Sequence, residues 1–465
     1  REGGYPDQEV PEWLKEGAPA GIRHHPKSCG IFPTVATAVK RGPPMTQYHQ
    51  GFRNYASVEE DEAAGKEIDK MATNKRFIRT CDTYSQACRI LGESPIVSKL
   101  AMITKHTANK TKRRLILDCL RSHVNDNSTQ WERVLLPRVL DAIEDILDML
   151  AYMGGYLDDE HLEMLVLDFV DAFFLLPLKD DEKRFFTATF KKKFFIWQRV
   201  AQGSTNGPQL FGRTSALASR FTQSLADESR MRQQTYTDDP WMVLRGTPDF
   251  TKRMRAVVIL VWLVLGFTLA FPKGQKGSHI TWVGHDIKID LQKREVTATI
   301  KEEFMAELAA TVKTFLAKNV LSIKEVRSFA GSANHVAALI WAWRPFLEEL
   351  WAAASSSPSS SQAPHNCVWM SQIKQTLLWI QAFIAGEFGT ISRTWSLHHY
   401  LADVAELTFK FDASPWGIGG LLVRHNEIEA FFIDDITEHD VQHLGIKYGD
   451  SSSQQACESL SVLVG

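Results

Sequence analysis

The sequence predicts an α+β fold, and three observations carry that prediction. An apolar run, Leu165-Val166-Leu167, ends in Asp168, and a second acidic segment, Tyr236-Thr237-Asp238-Asp239, follows downstream. Between them a glycine-punctuated stretch, Gln202-Gly203-Ser204-Thr205-Asn206-Gly207-Pro208, runs into a helical pattern from about Gln209 to Ala226. With 465 residues, 44% of them hydrophobic, the chain can bury more than one core.

Residues 1–95 show no sustained periodicity and are expected to form an extension with no legible chemistry. His24, His25 and Cys29 within it are too sparse for a metal site. Arg113-Arg114-Leu115-Ile116-Leu117-Asp118, followed by Arg121 and Asn125, has a basic start and an apolar middle; the bland alternative is a solvated basic turn. The run 165–167 suits a buried strand that delivers Asp168 at its exposed end. Tyr236 to Asp239 reads as the tip of a hairpin whose return strand is Trp241-Met242-Val243-Leu244, with Pro240 tolerated at its first position. Two acidic tips matter because two-metal nucleotidyl transfer needs carboxylates from separate segments around ions roughly 3.5–4 Å apart. Adjacent aspartates also occur at 158–159, 180–181 and 434–435, where solvated turns are the ordinary reading. Tyr156-Leu157-Asp158-Asp159 repeats the Tyr-x-Asp-Asp pattern and reads as a loop entering the strand to Asp168.

Farther on, the apolar run from Val257 to Phe271 falls short of the roughly 20 residues that span a bilayer, and reads as a helix leading to a strand. Within Ile280-Thr281-Trp282-Val283-Gly284-His285, Trp282 is suited to plain core packing. Helices are expected from Glu302 to Lys318 and again after Ser322-Ile323-Lys324-Glu325, which has the form of a capping box. The tract Ser355-Ser356-Ser357-Pro358-Ser359-Ser360-Ser361 cannot bury a core and marks a linker, 354–364. Leu407 to Asp412 alternates like a strand before the glycine-rich Gly417-Ile418-Gly419-Gly420, and a helix carries Glu458.

Taken together, these motifs resemble those of the reverse transcriptases of retroviruses and retrotransposons over roughly Ile96 to Phe346, nearest to elements of the DIRS kind. The resemblance implies a right-hand polymerase: fingers and a palm with an antiparallel sheet over 96–290, thumb and connection helices over 291–353, and a connection with a truncated ribonuclease H-like α/β segment over 365–465. It implies that Asp168 and Asp238 bind two Mg²⁺ (or Mn²⁺) ions with Asp239 as the third catalytic acid. Asp171, Ala172 and Phe173 would line the sugar pocket, Phe173 excluding a ribose 2′-hydroxyl, and Gln202 and Gly203 would contact the incoming nucleotide and template. Arg114 would hold the triphosphate bidentately together with Lys105, for which Lys110 and Lys112 compete. Lys273 would sit near the leaving pyrophosphate, with Lys276 or an ordinary turn lysine as alternatives, and a hairpin over 280–285, with Trp282 and Gly284, would form the primer grip. Asp412 and Glu458 match two metal ligands of a four-carboxylate nuclease, or Asp412 is a plain turn residue, and little or no RNA cleavage is expected without the remaining acids. Ala201, Gly207 and Pro240 depart from the family pattern at the template loop and beside the aspartates.

The implied partners are an RNA or DNA template-primer, deoxynucleoside triphosphates and other pol polyprotein parts such as an integrase or recombinase, with no membrane. Net charge −2 does not announce nucleic-acid binding, so local clusters such as Lys191-Lys192-Lys193 would have to supply phosphate contacts. Six cysteines without C-x-x-C spacing point to a reducing intracellular compartment, cytoplasmic or nuclear. A start at Arg1 reads as a fragment of a larger polyprotein. The expected activity is RNA-directed DNA polymerisation; the alternatives are a catalytically dead nucleic-acid-binding relic and an RNA-dependent RNA polymerase, which Phe173 disfavours.

Overall fold

The computed structural model describes residues 6–107, 110–153, 160–355, 363–401, 407–424 and 427–464, and the Tyr156–Asp159 repeat lies outside them. Contacts divide the chain into two units, Arg1–Trp395 and Ser396–Gly465. That break falls past the serine-rich tract because the chain after it returns to the first unit. Cys367–Trp369 pairs antiparallel with Val320–Ser322, and the helix Met370–Ile384 packs on the helices Glu302–Leu316 and Arg344–Ser355.

In the first unit, β1 (Lys99–Thr107) and β2 (Lys110–Asp118) form an antiparallel hairpin. A helix, α1 (Val139–Tyr152), precedes β3 (His161–Val166), and α2 (Gly207–Gln223) leads to the hairpin β4 (Met231–Tyr236) and β5 (Asp239–Gly246). With β6 (Gln275–Gly277), these strands make a four-stranded antiparallel sheet in the order β6-β3-β5-β4. The connection α3 (Pro248–Val264) covers one face. Leu165, Met242 and Leu244 from the sheet pack with Phe211 of α2 and with Val258 and Trp262 of α3. Each such side chain contributes roughly 1.5–3 kcal/mol by leaving water. Trp262 Nε1 donates to Thr222 Oγ1 at 2.9 Å, tying α3 to α2.

α2 opens two residues before the expected start because Pro208 fits the first helical turn, where a missing N–H costs nothing. β5 begins at Asp239 rather than Trp241, with Pro240 opposite Thr235. The Pro240 carbonyl accepts from Leu167 N at 3.2 Å, so the ladder uses the acceptor that proline retains. None of the described helices is long and apolar enough to cross a membrane.

A second sheet follows: β7 (His279–Trp282), β8 (His285–Asp290) and β9 (Glu295–Ile300), closed on its far edge by β10 (Ser392–Ser396). Next come α4 (Glu302–Leu316) and α5 (Ile323–Ala337); α5 opens with the expected capping box, Ser322 Oγ accepting from Glu325 N at 3.2 Å. The second unit holds a three-stranded antiparallel sheet, β11 (Leu407–Ala413), β12 (Gly417–Arg424) and β13 (Glu427–Asp435), with α6 (Gln454–Val464) packed on β11 and β12.

The N-terminal residues are built into the first unit, contrary to their reading as an extension without chemistry. Arg213 of α2 is buried and donates to Asp7 at 2.5 and 2.6 Å, to Glu9 at 3.0 Å and to the Lys27 carbonyl at 2.6 Å. Buried Glu182 accepts from the backbone N–H groups of Ala20, Ile22, Arg23 and His24.

Candidate functional site

The pairing of β3 with β5 brings the two acidic segments together. Beyond the end of β3, Phe169 N donates to the Asp238 carbonyl at 2.8 Å, which sets Asp168 beside the turn of the β4–β5 hairpin. Thr237 takes a left-handed conformation (φ +55°), the geometry a two-residue hairpin turn demands and one that a β-branched residue adopts at a cost. Asp239 opens β5, and Trp282 Nε1 donates to its carbonyl at 3.0 Å while packing against Trp241. Burial raises the Asp238 carboxyl above its ordinary range, a backbone hydrogen bond and the Arg114 charge pulling the other way. Burial and then the Asp238 charge push Asp239 up to about 6.

Asp168 ion-pairs with Lys273. Asp171 is left-handed (φ +55°), caps the 3₁₀ turn Ala172–Leu175 and pairs with Lys75. Phe173 packs against Phe211 of α2 with ring centroids 5.4 Å apart, so the helix after the glycine loop fixes the ring. That loop is held from the other side, where Asn125 Nδ2 donates to the Gly203 carbonyl at 2.9 Å and Asn125 Oδ1 accepts from Thr205 N at 3.0 Å. Gly203 (φ +107°) is required here: a Cβ would stand 2.6 Å from the Leu117 carbonyl oxygen of β2.

One cavity of about 470 Å³ is lined by Asp168, Asp171, Ala172, Phe173, Gln202, Asp238, Arg114 and Lys273. An adjoining cavity of about 710 Å³ shares Arg114, Phe173 and Gln202 and adds Gly203, Ser204, Gly207 and Pro208. Asp239, Trp282 and Gly284 do not line either: Trp282 braces the acidic hairpin through Trp241 and the Asp239 carbonyl, and Gly284 lies against His335. The Lys105 backbone lies opposite Lys112 in the β1–β2 hairpin, and its side chain is outside the described residues. Asp412 and Glu458 belong to the second unit. There Gln454 Nε2 donates to the Ala413 carbonyl at 2.6 Å and to Glu458 at 3.2 Å, and Ser461 Oγ donates to the Asp412 carbonyl at 3.2 Å, docking α6 on β11.

Sequence reasoning missed Lys75, Phe77, Lys70 and Glu67, all of which line the 470 Å³ cavity. Asn74-Lys75-Arg76 has the composition of a solvated turn, and only the fold carries it to the cavity. Among the described residues no three His, Cys, Asp or Glu side chains are grouped to hold a metal ion. The Lys273 ammonium is the counter-ion that Asp168 takes in this structure.

Neither a protein-family profile nor a curated protein matches the sequence. Among solved structures, the chain is similar to the foamy viral protease-reverse transcriptase dRH in complex with double-stranded DNA, with a TM-score of 0.52 at 14% identity, covering 93% of this chain and 64% of that one. Other structures of the foamy viral protease-reverse transcriptase match with TM-scores of 0.47 (with RNA/DNA hybrid, 15% identity, 93% and 48% covered) and 0.48 (with double-stranded DNA, 14%, 89% and 76%). This chain thus spans under two thirds of the length of the first of them. At such identity the likeness is one of fold: mixed helices and antiparallel sheets arranged as in a retroviral reverse transcriptase.

Proposed function

We propose that the chain is an RNA-directed DNA polymerase of a retroelement, extending a primer 3′-hydroxyl with deoxynucleoside triphosphates. The observation that carries this reading is the meeting of Asp168 and Asp238 in one cavity with Arg114, Phe173 and Gln202. The β1–β2 hairpin would serve as fingers, the sheet of β3 to β6 as palm, α4 and α5 as thumb, and the second unit as the ribonuclease H-like part. Asp168 and Asp238 present hard oxygen donors on adjoining segments that line one cavity, so the pair suits Mg²⁺ or Mn²⁺. Asp168 and Asp238 would hold the metal, whose chemistry there would be to lower the pKa of the attacking hydroxyl and neutralise phosphate charge. Asp239 adds negative charge next to Asp238. Arg114 orients the phosphates, and Phe173, braced by Phe211, excludes a 2′-hydroxyl.

Primer extension on a primed RNA template with Mg²⁺ tests this. Wild type is expected to incorporate dNTPs, and Asp238→Asn to lose at least about a thousandfold in rate, the scale of a removed charge-stabilising group. Equal incorporation by both proteins would refute the site. The ion pair that Asp168 makes with Lys273 favours a second reading, a nucleic-acid-binding protein without catalysis. That reading expects template-primer binding with no extension in either metal.

A further inference from the structure

The segment from Lys70 to Phe77 forms a wall of the acidic cavity, although it precedes the β1–β2 hairpin in the chain. Lys70–Asn74 is a π-helical turn continuing the helix Glu62–Asp69, and Lys75 N closes it on the Lys70 carbonyl at 3.1 Å. Such turns cost regular helical bonding and recur where a side chain must be re-aimed. Phe77 then stacks on Phe174 with centroids 4.4 Å apart and planes within 8°, which fastens the segment to the 3₁₀ turn after Asp171. Between these anchors Lys75 enters the cavity and pairs with Asp171, each side chain about a third exposed.

We propose that Lys75 is a phosphate-positioning residue: its ammonium leaves Asp171 for the polyphosphate of an incoming nucleoside triphosphate, so that the N-terminal region supplies part of the substrate site. This rests on the polymerase reading for its substrate class. Two carboxylates of the segment Asp168–Asp171 each hold one lysine, Lys273 and Lys75. A partly exposed lysine-carboxylate pair is worth little, so a multiply charged phosphate displaces the carboxylate at small cost. Lysine suits the exchange because it is a flexible point charge with three donors. A purely structural Lys75, neutralising Asp171 and steadying the Phe77–Phe174 stack, would instead be indifferent to ligand.

Calorimetric titration of the full chain with pyrophosphate and with dTTP, each with Mg²⁺, decides between the two. Lys75→Gln is expected to weaken both about tenfold and Lys75→Arg to stay within about threefold, the loss of one charge-assisted contact. The KM for dTTP in primer extension should rise by the same factor, with kcat within about threefold. Saturating Mg²⁺-pyrophosphate should also protect Lys75 of the wild-type chain from reductive methylation, a readout independent of how the variants fold. Unchanged affinity and no protection, or a fall in kcat and Tm with KM untouched, overturns the proposal. Extension activity in a wild type whose Lys75→Gln variant binds equally well would sink Lys75 alone. Pyrophosphate binding through Lys75 in a protein that extends no primer would sink the polymerase reading instead.

Discussion

Phe173 and Gly203 show what single residues contribute to the cavity. Phe173 is held by Phe211, so shortening the ring removes bulk without loosening the backbone around it. Phe173→Val is therefore expected to relax discrimination against ribonucleotides by about 100-fold, the limit that steric pockets of this kind reach. The ratio of kcat/KM for dTTP and UTP measures it, and an unchanged ratio would remove Phe173 from the sugar pocket. Gly203 is constrained both by its positive φ and by the Leu117 carbonyl. Gly203→Ala should destabilise the fold by about 1–3 kcal/mol in urea titration, because the loop must shift to clear the new methyl group. The reading of Gln202 and Gly203 as loop residues was open to sequence reasoning. The carbonyl that compels glycine was not, since Leu117 is remote in the chain and meets Gly203 only in the fold.

Among elements, the β7–β8 hairpin and α5 are coupled through two imidazoles. His285 opens β8 and packs against His335 of α5 with ring centroids 4.2 Å apart and planes tilted by 48°, and a Cβ at Gly284 would lie 2.6 Å from His335 Nε2. Burial and then the neighbouring His335 drive His285 down to about 4. A base whose folded pKa is depressed favours folding above its unfolded value near 6.5, and that contribution is lost as pH falls from there toward 4. Wild type should lose on the order of 3 kcal/mol more than His285→Asn between pH 7 and pH 4, by urea unfolding at both. Parallel losses in the two proteins would show that His285 is not the group responsible. The family resemblance marked residues 280–285 as a hairpin, yet the helix pressed against that turn lies about fifty residues on and leaves no local pattern. The same holds for Pro240: its place second in β5 rather than first goes with its carbonyl accepting from Leu167 N, just past the end of β3.

At the scale of the whole molecule, the serine-rich tract and the break in packing are different things. The sequence reads 354–364 as a linker, but Ser355 and the buried Ala354 end the helix Arg344–Ser355, and the strand Cys367–Trp369 and β10 report where the chain goes next. A protein ending at Leu401 keeps every described residue of the acidic cavity. It is expected to bind Mg²⁺-dTTP within about threefold of the full chain, by calorimetry, since no contact to the phosphates is removed. A larger loss would mean that the second unit takes part in the site. Mixed helices and antiparallel sheets, and the placing of Asp168 after an apolar strand and of Asp238 in a hairpin turn, were legible because strand-end carboxylates and turn residues are local signals; the structure brings both aspartates to one cavity. The cationic wall from the N-terminal region was not, because a lysine in a turn reads the same whether it faces water or a cavity.

Arg213 and Glu182 carry a consequence for anyone choosing where an expression clone should begin. A start codon placed at the β1–β2 hairpin, the first segment with recognisable motifs, would delete Asp7, Glu9 and the amides of 20–24. Arg213 would then keep Glu132 as its counter-charge, at 3.7 Å, in place of Asp7, Glu9 and the Lys27 carbonyl, and buried Glu182 would lose the backbone donors of 20–24. Breaking buried charge contacts of that kind costs about 3–5 kcal/mol each, enough to consume the net stability of an ordinary domain. Shortened proteins of this design should collect in inclusion bodies while the chain that keeps residues 1–95 remains in the supernatant.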